Sequence, residues 1–244
     1  MRLTKEVILS LLFAGVATVL VLCMILLEHP ASTSISLNEK MVVSGVFITS
    51  CCVGITLALY PGWIRNLIRK KIRTAHGTNE RPKRSFHGHH PDCDMFQTHR
   101  ITVNTKTWCA GCLGLLIGSL VSIVFMLMYV LFPIHQSPLI FFMLFLLGLF
   151  LIALIFIEIV EGSKHVVAHI LFNAMLAPSF FFITMSVTEL TGKSIFGVFT
   201  ILLCALWLST RVTLSTWRHR LTCSSCRESC KMYAPFATSV ERSL

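Results

Sequence analysis

Charge is what this chain has least of. Of its 244 residues only 13% are Asp, Glu, Lys or Arg while 55% are apolar; a water-soluble domain carries roughly 25% charged residues. That scarcity excludes an ordinary soluble globule and describes a chain most of which avoids water. Acids are the scarcer sign, 11 against 21 Lys and Arg, for a net charge of +10. Common catalytic signatures are also missing: there is no Walker loop, no G-x-S-x-G and no H-E-x-x-H. There is no internal repeat or low-complexity tract. The basic excess is not spread as a nucleic-acid footprint. Ten of the 21 Lys and Arg fall between Arg65 and Lys106, and most of the others lie near the two termini. In an apolar chain such clustering reads as membrane topology. The expected partner is the lipid bilayer, with no nucleic acid.

What is present is long apolar runs. A bilayer crossing needs about 20 such residues, and six stretches qualify: Val7–Leu27, Met41–Trp63, Leu113–Phe132, Leu139–Ile157, Val166–Val187 and Ser194–Thr210. The last is short and extends past Arg211 if that guanidinium snorkels to the interface. The fifth holds His169, Asn173 and Pro178. The first follows a basic start, MRLTKE, but is longer than a signal-peptide core and reads as an uncleaved anchor. The connections 28–40, 133–138 and 188–193 hold one, no and one Lys or Arg, and the basic segments all fall on the other side. The positive-inside bias then places both termini in the cytoplasm of a multi-pass cell-membrane protein. Apolar positions at helical spacing in Tyr60–Arg73, with Arg65, Arg69, Lys70 and Arg73 between them, predict an amphipathic continuation of span two along the headgroups. A polar linker follows.

The expected fold class is all-α, a polytopic integral membrane protein of about six transmembrane helices with a small cytoplasmic Cys/His metal-binding loop. Residues 1–63 form spans one and two, 64–112 the basic linker and Cys/His loop, 113–217 spans three to six, and 218–244 a Cys-rich tail.

Four of the ten cysteines, Cys23, Cys51, Cys52 and Cys204, lie in apolar runs, where Cys is a small packing residue. The other six lie in the basic segments. The loop HGHHPDCDMFQTHRITVNTKTWCAGCLG carries His87, His89, His90, Cys93, His99, Cys109 and Cys112. CAGC is a C-x-x-C knuckle, a spacing that lets two thiolates wrap one Zn²⁺. Before it, HRITV and KTWC read as two short strands about an Asn-Thr turn, a hairpin like half a zinc ribbon. Zinc needs four ligands, and Cys93, Cys109 and Cys112 with His99, or else His90, would supply them. The reducing cytoplasm favours a metal over a disulfide; unliganded thiols or a redox dithiol are the alternatives. In the tail, Cys223, Cys226 and Cys230 with His219 form a candidate second site, or complete the first, or accept palmitoyl chains.

A polar stripe stands out within the apolar runs. Glu158, Glu161, His165, His169 and Asn173 recur at steps of three or four. One continuous helix would be far too long for a bilayer, so the chain must turn at Gly162, setting carboxylates on one helix against imidazoles on the next. Solvation at headgroup level accounts for Glu158, Glu161 and His165; His169 and Asn173 lie deeper, where ionisable groups face protein or water.

The order RSFHGHHPDC, F-x-x-H and CAGCLGLLIG resembles a family of uncharacterised prokaryotic multi-span membrane proteins, a domain of unknown function. Its members pair a Cys/His segment with a C-x-x-C-x-G knuckle that opens a span, and carry an acidic-Gly pair ending a later span, matched here by Glu161-Gly162. The resemblance covers residues 84–175 and implies architecture and metal binding. The chain differs from that pattern in carrying Ala110 and Gly111 inside the knuckle, where a basic residue is often found, and in lacking an arginine expected near Asn173. Three functional classes remain open. One is a non-enzymatic membrane protein whose zinc loop docks a cytoplasmic protein partner or senses metal or redox state. The second is a metal-ion or proton carrier using the Glu/His pocket. The third is a membrane-embedded enzyme using Glu161, His165 and His169.

Overall fold

The computed structural model describes residues 4–27, 35–60, 99–103, 106–132, 137–162 and 165–224. Six helices are present among them: α1 (Lys5–Leu27), α2 (Leu37–Leu59), α3 (Ala110–Leu131), α4 (Pro138–Glu161), α5 (Val166–Thr191) and α6 (Ser194–Ser224). Each is long and apolar enough to cross a membrane, so the chain is a multi-pass membrane protein whose outward apolar side chains meet lipid. Between α2 and α3 lies a two-stranded antiparallel hairpin, β1 (Arg100–Val103) and β2 (Lys106–Cys109), in the register Arg100↔Cys109 and Val103↔Lys106. The expected hairpin is therefore there, and β2 runs straight into α3.

Local chemistry explains the boundaries. Ser36 and Glu39 form a capping box that starts α2. Pro138 opens α4, where its missing N–H costs nothing. Gly162 ends α4 with φ 71° and Gly192 ends α5 with φ 63°, left-handed turns suited to glycine. The turn expected at Gly162 is thus where the chain reverses. Two spans differ from expectation. Helix α2 begins at Leu37 and stops at Leu59, with Tyr60 as its cap; the amphipathic continuation expected after Tyr60 lies outside the described residues. Helix α6 continues to Ser224, so Arg211 sits well inside it.

Helix α5 is the hub, packing against α3, α4 and α6. Despite His169, Asn173 and Pro178 it is unbroken. Its contact with α3 is unusually close. A Cβ at Gly114 or Gly118 would collide with the backbone carbonyls of Ile170 and Ala174, so the two glycines, four apart, let the helix backbones touch. Pro178 has no N–H to offer the carbonyl of Ala174 one turn back, and it is that carbonyl which Gly118 faces.

Among the described residues three apolar clusters fill the interior, the smallest of them Val7, Leu214 and Trp217; the other two are larger. One gathers Ala14, Val21, Phe145, Ile183 and Trp207; the other gathers Phe47, Met126, Phe141 and Phe181. Helix α6 is pinned to α1 by the Trp207 indole donating to the carbonyl of Ala14 (3.2 Å) and the Thr210 hydroxyl donating to that of Ser10 (2.8 Å). At the end of the bundle away from the knuckle, Lys40 on α2, Tyr129 on α3 and Glu189 on α5 interlock. The lysine Nζ lies 2.6 Å from the carboxylate and 4.7 Å from the Tyr129 ring centre, and the tyrosine hydroxyl donates to the same carboxylate at 2.7 Å.

Candidate functional site

At the knuckle end, residues from five elements converge. Cys109 closes β2 and is the N-cap of α3; Cys112 lies in the first turn of that helix. The two cysteines stand close enough to act on each other, and the guanidinium of Arg211 close enough to act on both through its charge. Arg211 comes from α6. Its Nη2 donates to Oδ1 of Asn173 on α5, and a Cβ on Gly111 would lie 3.5 Å from that nitrogen. The missing side chain at Gly111 thus leaves room for the arginine head beside the knuckle.

One turn nearer the end of α5, His169 meets Glu158 of α4, with Nδ1 2.8 Å from Oε1. Both residues are buried, at 8% and 7% exposure, as is Asn173 at 7%. The amide of Asn173 donates back to the carbonyl of His169 at 2.5 Å, which fixes its oxygen toward Arg211. The Glu158–His169 contact is at ion-pair distance without hydrogen-bond alignment. Oε1 of Glu158, Nε2 of His169 and Nε of Arg211 are buried and have no hydrogen-bond partner among the described residues. Over the His169 ring lies His99, stacked at 4.2 Å between centres, and His219 of α6 meets His99 edge-on at 5.7 Å. Three imidazoles, one carboxylate, one guanidinium and two thiols thus occupy one end of the bundle.

The two features expected separately, the Cys/His loop and the polar stripe, are therefore a single cluster. His99, Cys109 and Cys112 from the loop belong to it, as do Glu158, His169 and Asn173 from the stripe, and His219 joins from the tail side. Glu161 and His165 do not. Both side chains are exposed, because Glu161 occupies the last turn of α4 and His165 is the N-cap outside the first turn of α5. The backbone carbonyl of Glu161 accepts from Nη2 of Arg218 at 3.1 Å. Glu158, which solvation at headgroup level would have accounted for, is instead turned inward. Cys223 lies in the last turn of α6. Cys93, His90, Cys226 and Cys230 lie outside the described residues.

Among the described residues no three His, Cys, Asp or Glu side chains are placed to hold one metal ion. His99 is turned to the other imidazoles, and the knuckle contributes two sulfurs. Arg211 is the member that sequence reasoning missed: instead of snorkelling outward it turns inward to Asn173 and the thiols. The signal was available, since a charged side chain followed by a further apolar helical stretch, VTLSTW, is an intramembrane charge. No family model, no curated protein and no solved structure matches the chain.

Proposed function

We propose that the chain is a metal-responsive protein of the cell membrane. In this reading the knuckle end faces the cytoplasm with both termini, and Cys109 and Cys112 hold a zinc ion completed by Cys93 and by His99 or His90. The observation that carries this reading is the position of Arg211. The Arg211 guanidinium stands at the start of α3, the positive end of a helix dipole; among the described residues neutral Asn173 is bonded to it, and the Glu158 carboxylate acts on it through charge. One carboxylate, shared with His169, leaves it short of anionic neighbours, and two zinc-bound thiolates are such neighbours. The donor chemistry fits zinc, and an ion held there would act directly on Arg211 and through Asn173 on α5. That continuity favours sensing over a loop that only docks a protein partner.

The carrier alternative fits less well. Inward of the cluster the interior is Phe145, Met126, Ile183 and Phe181; the buried hydroxyls of Ser122, Ser179 and Thr188 donate to carbonyls of their own helices, whereas those of Ser44, Thr184 and Ser186 have no hydrogen-bond partner among the described residues. A carrier would have to pass an ion along such hydroxyls, since no described His, Asp or Glu lies on α5 between Asn173 and Glu189. An enzyme reading has the Glu158–His169 pair for acid–base work, but its other residues, Glu161 and His165, stand outside the cluster.

Elemental analysis of the purified full-length protein tests the proposal. About one zinc per chain is expected from a single tetrahedral site. It should be lost in Cys109→Ser and Cys112→Ser and kept in Cys51→Ser, whose thiol lies within the bundle. Protein that carries no transition metal when prepared without chelators sinks the reading. Ion uptake into proteoliposomes that His169→Ala abolishes, at unchanged zinc content, would replace sensing by transport.

A further inference from the structure

We propose that α5 is a hinged lever across the membrane, coupling the polar cluster at the knuckle end to the Lys40–Tyr129–Glu189 lock at the far end, so that opening one loosens the other. This gives the proposed sensor an output on the opposite face, yet it rests on no bound metal: both ends are made of side chains already in place.

Helix α5 carries residues of both constellations. Near its start His169 meets Glu158 of α4 at 2.8 Å, and Asn173 accepts from Arg211 of α6. Near its end the Glu189 carboxylate meets Nζ of Lys40 from α2 at 2.6 Å and accepts from the hydroxyl of Tyr129 on α3 at 2.7 Å. Polar contacts thus tie the near half to α4 and α6, and the far half to α2 and α3. The Lys40 and Glu189 side chains are only 13% and 9% exposed, so neither charge is left to water and each depends on the other. Glu189 and Asn173 stand about 24 Å apart along the helix axis. At that separation coupling between them has to travel through packed elements.

Between the two ends the helix has a built-in bend point. Pro178 has no N–H for the Ala174 carbonyl, so the backbone ladder is one bond short there, and helices bend where a rung is missing. Glycines flank that point on two sides. On α3 Gly118 faces the Ala174 carbonyl, and on α4 Gly148 faces the Ser179 carbonyl and the Ile183 side chain, each too closely for a Cβ. With no side chains of α3 and α4 interlocked at these two places, α5 has smooth surfaces on which to tilt. Asn173 directly precedes the freed carbonyl. Its amide donates within its own helix, to the carbonyl of His169 at 2.5 Å, so the side chain moves with the backbone. A tilt of the far half that draws Ala174 off Gly118 therefore draws Asn173 away from Arg211.

Hydrogen–deuterium exchange of the full-length protein in detergent micelles reads both ends at once. Glu189→Gln keeps the shape of the side chain and removes the charge that holds Lys40. Amides 169–174 should then exchange at least about fivefold faster than in the wild type, the low end of the range for coupled sites. Asn173→Leu should speed amides 186–191 by a similar factor, because coupling is reciprocal. Glu39→Gln, beside Lys40 but outside the lock, should leave amides 169–174 within about twofold, as distant independent sites do. Pro178→Ala gives the Ala174 carbonyl its donor back. In that background Glu189→Gln should move amides 169–174 by no more than about twofold, which a general loss of stability would not produce. If Glu189→Gln does not elute as monodisperse protein, Tyr129→Phe replaces it, taking one donor from the carboxylate and keeping the ring against Lys40. Faster exchange confined to the turns beside each substitution, an equal rise in all six helices, or an effect that persists with Pro178→Ala overturns the proposal. So does a lock that neither variant opens without unfolding the protein. Zinc content of the same preparations bears on the metal reading alone.

Discussion

Arg211 and Asn173 join the knuckle to the membrane interior, and their energetics are unequal. Replacing Arg211 by Met removes a charge and leaves the Asn173 oxygen without its donor, a loss of about 1–3 kcal/mol for a buried unsatisfied group. Replacing Asn173 by Leu leaves a guanidinium buried without its partner, a costlier change of about 3–5 kcal/mol. The double substitution should cost less than the two added together, by about 1–2 kcal/mol. Reversible unfolding in mixed micelles measures all three. Strict additivity would mean that the two side chains do not act as a unit. At this scale the sequence was half legible. That carboxylates of α4 face imidazoles of α5 could be read from their spacing about Gly162, because one turn between adjacent helices leaves few arrangements; that Glu158 rather than Glu161 turns inward to His169 could not. Arg211 could not, since its partner lies on a helix 38 residues away. An arginine at the apparent end of an apolar run defaults to the interface unless something inside the bundle receives it.

Among the elements, the α3–α5 contact decides whether the cluster assembles. Gly118 faces the Ala174 carbonyl too closely for any side chain, and Ala174 follows Asn173 directly. Gly118→Ala should therefore push α3 away from α5 and cost about 1–3 kcal/mol, the usual penalty of overpacking. It should also loosen the hold of Arg211 on Asn173, seen as faster maleimide labelling of Cys112. Gly45→Ala is the control: a Cβ there meets nothing within 4 Å, and helix propensity alone should make it neutral or stabilising by up to about 1 kcal/mol. Equal effects from the two substitutions would remove the close contact from the account. All six helices were legible as apolar runs, and the hairpin as alternation before the knuckle. Their exact pairing was not, because Gly114 and Gly118 read as two small residues in a span until the Ala174 carbonyl is seen opposite them.

For the whole molecule, everything proposed about the thiols depends on which side of the membrane they face. The helices place Cys109, Arg211 and the Glu158–His169 pair at one end and the Lys40–Tyr129–Glu189 lock at the other. Charge then orients that axis. The knuckle end adjoins the segment richest in Lys and Arg, whereas the connection 133–138, at the far end, carries neither. In the proposed orientation the positive-inside bias puts the basic end in the cytoplasm, where thiols stay reduced and able to bind metal. Single cysteines introduced as Ser36→Cys and Ser137→Cys into a chain otherwise free of cysteine should react with a membrane-impermeant maleimide in intact cells. Ser224→Cys, at the end of α6, should react only after the membrane is opened. The reverse pattern would turn the knuckle to the oxidising side. A standing Cys109–Cys112 disulfide would then replace zinc, and Arg211 would lose the thiolates that its burial calls for.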